Sequence, residues 1–420
     1  MKLALAVLAA GLLVTQDDPR IRELVERLAD DQITVREQAA ANLAEFGPAA
    51  VPALLRIKSS GDPELSSRAA SIIKRIGEGE IVGRHWRRGA RITLDSDGTP
   101  VALVLEDLER QARDTFRYDP ADLRDPVVLN VRDLPFWDCV DALCRAAPTL
   151  TWEVDGDVLV FTRRSRPAYP VRSQEEFTVW LDGITYTRDF DFTGNARTTF
   201  TVTLASAWES GIVPVAVEQR VAEVLDEEGR NLMPPDRFAS YGARLETPTR
   251  RIRKEVAYMA IPQGREVRAF SKVCGSAAFY FPRSYEDVSI DLKSTSTPLQ
   301  LERMTIAVRN FRVLKDACAF EIILTSAMST GEPLIDRMPY GDIAVIDDQG
   351  NLCRSSAATK GPAMVGSSRS HSYSGTSYTI HENMQVPLAE GRTAVSLRLR
   401  LLKDVMEKRV AFEFSDIAVQ

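Results

Sequence analysis

The chain has 420 residues, of which 44% are hydrophobic and 27% are charged, and its formal net charge at pH 7 is -6. This composition is that of an ordinary globular protein, so it excludes a wholly disordered or fibrous chain, and the length suits about three domains. A dedicated nucleic-acid-binding protein would carry a strongly basic domain, so the acidic balance argues against nucleic acid as a partner.

Residues 1–16, MKLALAVLAAGLLVTQ, have the pattern of a secretory signal peptide, with Lys2 before an apolar run from Leu3 to Val14. The run has about twelve residues, whereas a membrane-spanning helix needs about 20. We therefore expect export to the periplasm or the cell exterior, with no transmembrane span in the mature chain. The alternative is a buried first helix.

Residues 17–82 are predicted to form a short α-helical repeat. Apolar residues recur at helical spacing, each unit ends in a glycine, and a proline begins the next helix. The stretch VREQAAANLAEFGPAAVPALL, residues 35–55, resembles HEAT repeats. That resemblance implies protein binding through a helical surface, and the alternative is a helical cap for the next domain.

Residues 90–165 are predicted to form an α+β domain with the element order βαββαββ. Amphipathic helices through Leu105 and Leu143 alternate with period-two strands, and Asp155-Gly156 is typical of a hairpin turn. The stretch VLNVRDLPFWDCVDALCRAAPTLTWEVDGDVLVF, residues 128–161, resembles the secretin/TonB short N-terminal domain. Members of that family act as docking modules on outer-membrane channels and receptors. No channel-forming segment follows, so we do not expect the chain to be a secretin.

The carboxy-terminal half is predicted to be a tandem duplication. FTVTLASAWESG at residues 200–211 recurs as FEIILTSAMSTG at residues 320–331, and weaker similarity continues for about 90 residues in each copy. Period-two strands joined by short turns are typical of antiparallel sandwiches of immunoglobulin-like type. We therefore predict one β-sandwich over residues 168–295 and a second over residues 298–420.

Motifs for catalysis and metal binding are absent from the sequence. It contains no G-x-S-x-G elbow, Walker loop, dinucleotide fingerprint, H-E-x-x-H or C-x-x-C. The sequence DSDGTP, residues 95–100, lacks the glycine that a calcium loop needs at its sixth position. His371 and His381 could share a metal across a hairpin, although a solvated serine-rich loop is the favoured interpretation. We predict no catalytic residue, no cofactor and no metal.

Two basic runs, residues 83–91 and 249–254, supply the candidates for a binding patch: Trp86, Arg87, Arg88, Arg250, Arg251 and Arg253. Such runs could meet acidic proteins or anionic envelope polymers, although solvated linkers at domain boundaries are the favoured interpretation. Among the five cysteines, Cys318 and Cys353 are the only pair that could form a disulfide in an exported protein, although buried free thiols are the favoured interpretation.

The predicted fold class is multidomain α and β: a short HEAT-like helical repeat, a βαββαββ domain and two tandem antiparallel β-sandwiches. The predicted function is that of a non-catalytic exported binding or scaffold protein of the bacterial envelope, with other envelope proteins as partners. Two alternatives stay open. One is a periplasmic hydrolase with its site in the sandwiches, and the other is an accessory component of a secretion or outer-membrane assembly.

Overall fold

The computed structural model describes residues 18–59, 61–163, 170–190, 196–233, 251–261, 267–293, 297–301, 304–315, 317–327, 339–354, 368–374 and 377–419. The predicted signal peptide lies outside these residues. The chain separates into two compact units, Met1–Trp86 and Arg87–Gln420. The finer domain boundaries predicted from the sequence stay predictions.

The described part of the first unit is helical, with α1 (Pro19–Arg27), α2 (Ile33–Glu45), α3 (Val51–Lys58) and α4 (Pro63–His85). The carboxylates of Asp18 and Asp62 accept backbone N–H groups in the first turns of α1 and α4, which satisfies donors that a helix start leaves free. The four helices bury one apolar cluster: Ile21, Leu28, Ala39, Leu43, Ala50, Leu54, Ala69, Ile72 and Ile76.

The second unit begins with a module of two helices and two small sheets. Its elements are β1 (Arg91–Pro100), α5 (Val101–Ala112), β2 (Phe116–Arg117), β3 (Pro126–Pro135), α6 (Phe136–Ala146), β4 (Leu150–Asp155) and β5 (Val158–Arg163). This is the predicted order of elements. Strands β1 and β3 pair antiparallel, while β5 lies between β2 and β4 in a second sheet. We call residues 91–163 the docking module because their core is packed on the following part of this unit.

The rest of the second unit is a β body with one separate sheet in each copy. In the first copy, β6 (Val171–Gln174), β7 (Phe177–Phe190), β8 (Ala196–Trp208) and β10 (Ile252–Ile261) form a four-stranded sheet. In the second copy the sheet has five strands, namely β12 (Leu299–Gln300), β13 (Met304–Val313), β14 (Ala317–Ala327), β17 (Ser368–Ser374) and β18 (Ser377–Pro387).

The two copies share their other sheet. It has the order β16 (Leu352–Arg354), β15 (Pro339–Asp347), β19 (Ala394–Ala418), β11 (Ala269–Asp291) and β9 (Ala216–Asp226). The long strands β11 and β19 pair antiparallel from Ala269↔Ala418 to Asp291↔Ser396. One end of each long strand therefore belongs to the sheet of the first copy, and its opposite end belongs to the sheet of the second copy.

Apolar side chains hold each separate sheet against the shared sheet. In the first copy, Phe177 stacks on Phe279 of β11 with ring centroids 4.2 Å apart, and Trp208 meets the same ring edge-on. In the second copy, Ile322 and Leu324 of β14 belong to one buried cluster with Leu397 and Leu399 of β19. Both cores thus depend on strands that the copies have in common.

The predicted fold class is wrong. The described residues form 19 strands but only six α-helices, so the protein is mostly β and built of several small sheets, rather than a multidomain α and β chain with a HEAT-like helical repeat. The prediction of two separate sandwiches fails for a physical reason. Period-two alternation identifies the buried face of a strand, but it does not say which strand lies beside it or whether one sheet continues through two copies.

Candidate functional site

The strongest candidate site is the buried joint between the docking module and the β body. Trp137 of α6, Trp152 of β4 and Trp180 of β7 form a chain of rings with centroid distances of 5.3 and 5.0 Å. Ala205 and Ala207 of β8 are buried in the same cluster as the core of the module. Because one apolar core includes residues of both parts, the module is held by the same forces that stabilise a domain interior.

A buried ion pair crosses this joint. The guanidinium of Arg251, just before β10, donates from Nη1 to Asp114 Oδ1 at 2.8 Å and from Nε to the carbonyl of Trp208 at 2.9 Å. The side chains of Arg251 and Asp114 are only 6% and 3% exposed. Removing either partner would leave a charge in a site shielded from water, so the pair makes the module and the body strongly interdependent.

A second polar contact holds the segment that precedes the module, Arg87–Ala90, which we call the strap. The backbone N–H of Gly89 donates to Glu176 Oε1, and that of Ala90 donates to Glu209 Oε2, each at 2.8 Å. Arg87 Nη2 donates to the carbonyl of Ser210 at 2.7 Å. The strap is thus bound along its length by residues that flank β7 and β8.

Burial makes the strap site electrostatically unusual. Glu176 and Glu209 are 3% and 6% exposed, and Glu176 Oε2 and Glu209 Oε1 are buried with no hydrogen-bond partner among the described residues. Desolvation raises the pKa of Glu209 to about 7, although its bond from the Ala90 N–H acts in the opposite direction. The nearby carboxylate of Glu176 raises the pKa of Glu209 further, whereas Arg251 and Arg87 lower it.

The structure divides the predicted binding-patch residues among different settings. Arg251 lies inside the joint, and Arg87 is exposed but anchors the strap to Ser210. Arg88 is exposed, and the backbone of Arg253 pairs with Ser206 within the first-copy sheet. Trp86 is the last residue of the first unit, and Arg250 lies outside the described residues. The structure therefore brings Arg87 and Arg251 to one joint without making them part of one exposed patch.

The five cysteines are free thiols in this structure. Cys318 of β14 is buried in the core of the second copy, and Cys353 of β16 packs against that core. Burial is the main reason that the pKa of Cys318 is raised to about 11. The predicted disulfide is therefore not formed here, although both residues belong to one hydrophobic cluster.

The candidate metal ligands do not come together. Strand pairing sets His371 opposite Ile380 and Ser370 opposite His381, so the two histidine positions alternate and fall on opposite faces of the hairpin. His381 instead places Nδ1 3.0 Å from Glu321 Oε1. The segment at residues 95–100, considered as a calcium loop, lies in β1. Within the described ranges, no group of three histidine, cysteine, aspartate or glutamate side chains could hold a metal ion.

The docking module has a second surface, away from the joint, at its two-stranded sheet. Among the described residues, β1 and β3 have no neighbour besides each other. The amide of Gln111 bonds both the N–H and the carbonyl of Thr93, so it covers part of the β1 edge. Val128 of β3 is 70% exposed. An open strand edge with an exposed apolar side chain is able to pair with a strand from another protein.

Sequence reasoning missed Asp114, Glu176 and Glu209 as residues of the joint. Each lies beside an element end and looks like an ordinary solvated carboxylate in the sequence. Asp114 and its partner Arg251 are separated by 137 positions, and no local pattern reports that proximity. The apolar neighbours Trp137 and Trp180 are the one local signal that these carboxylates border an interface.

Comparison with known proteins gives little. No protein-family model matches the sequence, and no curated protein matches it significantly. A solved chain from the atomic model of the Salmonella type III secretion injectisome basal body proteins InvG, PrgH and PrgK is similar to this chain at 9% identity and a TM-score of 0.16, over 76% of this chain and 92% of that one. Similarity at this level carries no argument about fold or function. No described helix has the length and apolar character to cross a membrane.

Proposed function

We propose that this chain is a non-catalytic binding or scaffold protein of the bacterial envelope, exported to the periplasm or the cell exterior, which presents the docking module to a partner protein. The observation that carries the proposal is the joint. The module shares a core with the β body and is bound to it by the Arg251–Asp114 ion pair.

A rigid joint favours recognition because binding then costs little conformational freedom. Ordering a mobile domain or loop on association reduces affinity, whereas a surface held in its bound orientation avoids that loss. The module buries part of its core against the body, while β1 and β3 pair with no third strand among the described residues. A partner strand that pairs with β3 would gain main-chain hydrogen bonds, and Val128 would supply an apolar contact.

A more specific form of this proposal is an accessory component of a secretion or outer-membrane assembly. The observation in its favour is that the described elements of residues 91–163 follow the βαββαββ order on which the resemblance to the secretin/TonB short N-terminal domain rested. In that form, the partner strand belongs to an envelope channel or receptor. Anionic envelope polymers are the other partner class to test, through exposed basic residues such as Arg88.

Site-specific photo-cross-linking tests the proposal. A benzophenone amino acid at Val128 should cross-link a protein of discrete mass in intact cells. The matched control carries the benzophenone amino acid at Val313 of β13, a position of the second copy that is 53% exposed. This control should not give the cross-linked band. Equal cross-linking at both positions, or none at Val128, would argue against partner recognition by the module. A band identified as a channel or receptor would support the more specific form.

A further inference from the structure

The strap site is built around a glycine, which shows how closely the two carboxyl groups approach the strap. A Cβ added to Gly89 would lie 2.5 Å from Glu209 Oε1 and 2.6 Å from Glu176 Cγ, so the two acidic side chains close on one point. Gly211 has a similar role on the other side, because a Cβ there would lie 3.0 Å from the Arg87 guanidinium carbon. The strap therefore fits a seat with no room for another side chain.

The hydrogen bonds at the strap satisfy only one oxygen of each carboxyl group. Glu176 and Glu209 each accept one backbone N–H, and each retains a buried oxygen that lacks a partner. Two ionised carboxylates so close together are unfavourable, because like charges repel and neither is hydrated. A proton on Glu209 removes one of the two charges and so relieves the repulsion from Glu176.

We propose that Glu209 and Glu176 form a proton-controlled clasp for the strap: when Glu209 carries a proton, Arg87–Ala90 stays seated, and when that proton is lost the strap is released. Release hydrates the ionised carboxylate, which removes the cost of burying it. The Ala90 N–H and the Arg87 side chain then exchange their partners on the body for water.

All the charged groups that face Glu209 act on this equilibrium. Glu176 precedes β7 and favours the protonated form, whereas Arg87 of the strap and Arg251 before β10 favour the ionised form. Arg251 is itself paired with Asp114 at the end of α5, so part of its charge is already balanced. Burial is the largest influence, and it raises the pKa of Glu209 from its ordinary value of 4.5 to about 7.

The sign of the pH effect follows from these two values. Below the pKa of the released carboxyl, both states are protonated and pH has no effect. As pH rises from about 4.5 to about 7, the released state ionises first, and the opening equilibrium rises about tenfold per pH unit. Above the pKa of the seated carboxyl, the equilibrium levels off.

Amide hydrogen exchange of the full chain tests the clasp. After correction for the intrinsic exchange rate, the protection of Gly89 and Ala90 should fall roughly 50- to 100-fold between pH 5 and pH 8. Glu209→Gln keeps the size of the side chain and an oxygen acceptor but cannot ionise, so protection in that variant should be independent of pH. Glu390→Gln, at an exposed turn, is the matched control and should behave as the unmodified chain.

Two results would overturn the clasp. One is a corrected protection of Gly89 and Ala90 that does not change with pH in the unmodified chain, and the other is an equal change in the Glu209→Gln chain. If Glu209→Gln fails to fold, Glu176→Gln provides the second test. Glu176→Gln removes the negative charge that raises the pKa of Glu209. The protection of Gly89 and Ala90 should therefore fall less between pH 5 and pH 8 than in the unmodified chain. An unchanged or larger fall would also contradict the proposal.

Discussion

In the two copies of the β body, corresponding positions of the separate sheets carry different residues and differ in burial. In the first copy, Trp180, Ala205 and Lys254 lie side by side on β7, β8 and β10. Trp180 and Ala205 are buried against the docking module. In the second copy the corresponding row on β13, β14 and β18 is Thr305, Thr325 and Thr379. These three threonines are half-buried, and Thr325 and Thr379 place their hydroxyl oxygens 3.3 Å apart.

This difference shows that strand pairing and contact with a neighbouring module depend on different residues of the same strands. The inward residues of both sheets are apolar and the strand register is alike, so the duplication preserves the core. The outward residues decide whether a neighbouring module is held. Apolar area removed from water contributes about 25 cal/mol per Å², which a row of three threonines with hydrogen-bonded hydroxyl groups cannot match.

The largest expected effect comes from Gly275, because the shared sheet serves both copies. A Cβ at this position of β11 would lie 2.0 Å from the Arg220 carbonyl oxygen and 2.7 Å from the Phe412 ring. We expect Gly275→Ala to lower the free energy of unfolding by about 4 kcal/mol or more, or to prevent folding. Gly183→Ala is the matched control, since a Cβ there has no atom within 4 Å. Equal urea denaturation curves for the two variants would contradict this packing.

Arg251 tests the joint of the first copy alone. Arg251→Ala should destabilise the docking module by about 3–5 kcal/mol, because Asp114 would remain buried without its partner. Arg117→Ala breaks an ion pair with Asp155 in which both side chains are about 60% exposed, and should cost about 0–1 kcal/mol. Urea denaturation followed by tryptophan fluorescence measures both. Similar losses would show that burial of Arg251 has no special role.

A reciprocal exchange of one residue sharpens the comparison between the copies. Trp180→Thr removes the ring that meets Trp152 edge-on, so it should cost about 3 kcal/mol. Thr305→Trp places the same ring on the corresponding position of the second copy, which is half-buried and lies on the strand face opposite the buried cluster, and should change stability by about 0.5 kcal/mol at most. Thermal unfolding measures both variants. A large gain from Thr305→Trp would mean that this face has an apolar neighbour.

The smallest effect concerns pH. Because the pKa of Glu209 is raised in the folded chain, the stability it contributes is greatest at low pH and is lost as pH rises from about 4.5 to about 7. Glu209→Gln should therefore unfold with similar stability at pH 5, and should exceed the unmodified chain by about 2–3 kcal/mol at pH 8. The two chains are compared by urea denaturation at each pH. If the free energies of unfolding of the two chains differed by the same amount at pH 5 and pH 8, the effect of Glu209 would come from packing rather than from ionisation.

Local features of the fold were readable from the sequence. The helical spacing of Val104, Leu105 and Leu108 correctly marked the buried face of α5, and Asp155-Gly156 marked the β4–β5 turn, where Gly156 has a φ of +66°. The duplication was visible because β8 and β14 kept the same inward residues. Each of these inferences depends on neighbours within one element or one turn.

Long-range features were not readable. The sequence of β11 does not indicate that its 23 residues pair with β19 and connect the two copies. The predicted class of multidomain α and β includes a short helical repeat in the first unit, whereas strands dominate the described residues. The residues of the joint were hidden for the same reason. A carboxylate such as Glu209 has an ordinary sequence environment and acquires its unusual pKa only when distant segments exclude water.

The shared sheet also has a consequence for biosynthesis. The first copy cannot complete its sheet until β19 has been made, and β19 begins about 100 residues after β11 ends. At translation rates of about 5–20 residues per second, the edge of β11 therefore waits roughly 5–20 s for its partner. During that interval a long apolar strand edge is open to wrong pairing. Nascent chains of this protein should therefore depend on a chaperone that shields strand edges, more than a chain with two self-contained sandwiches would.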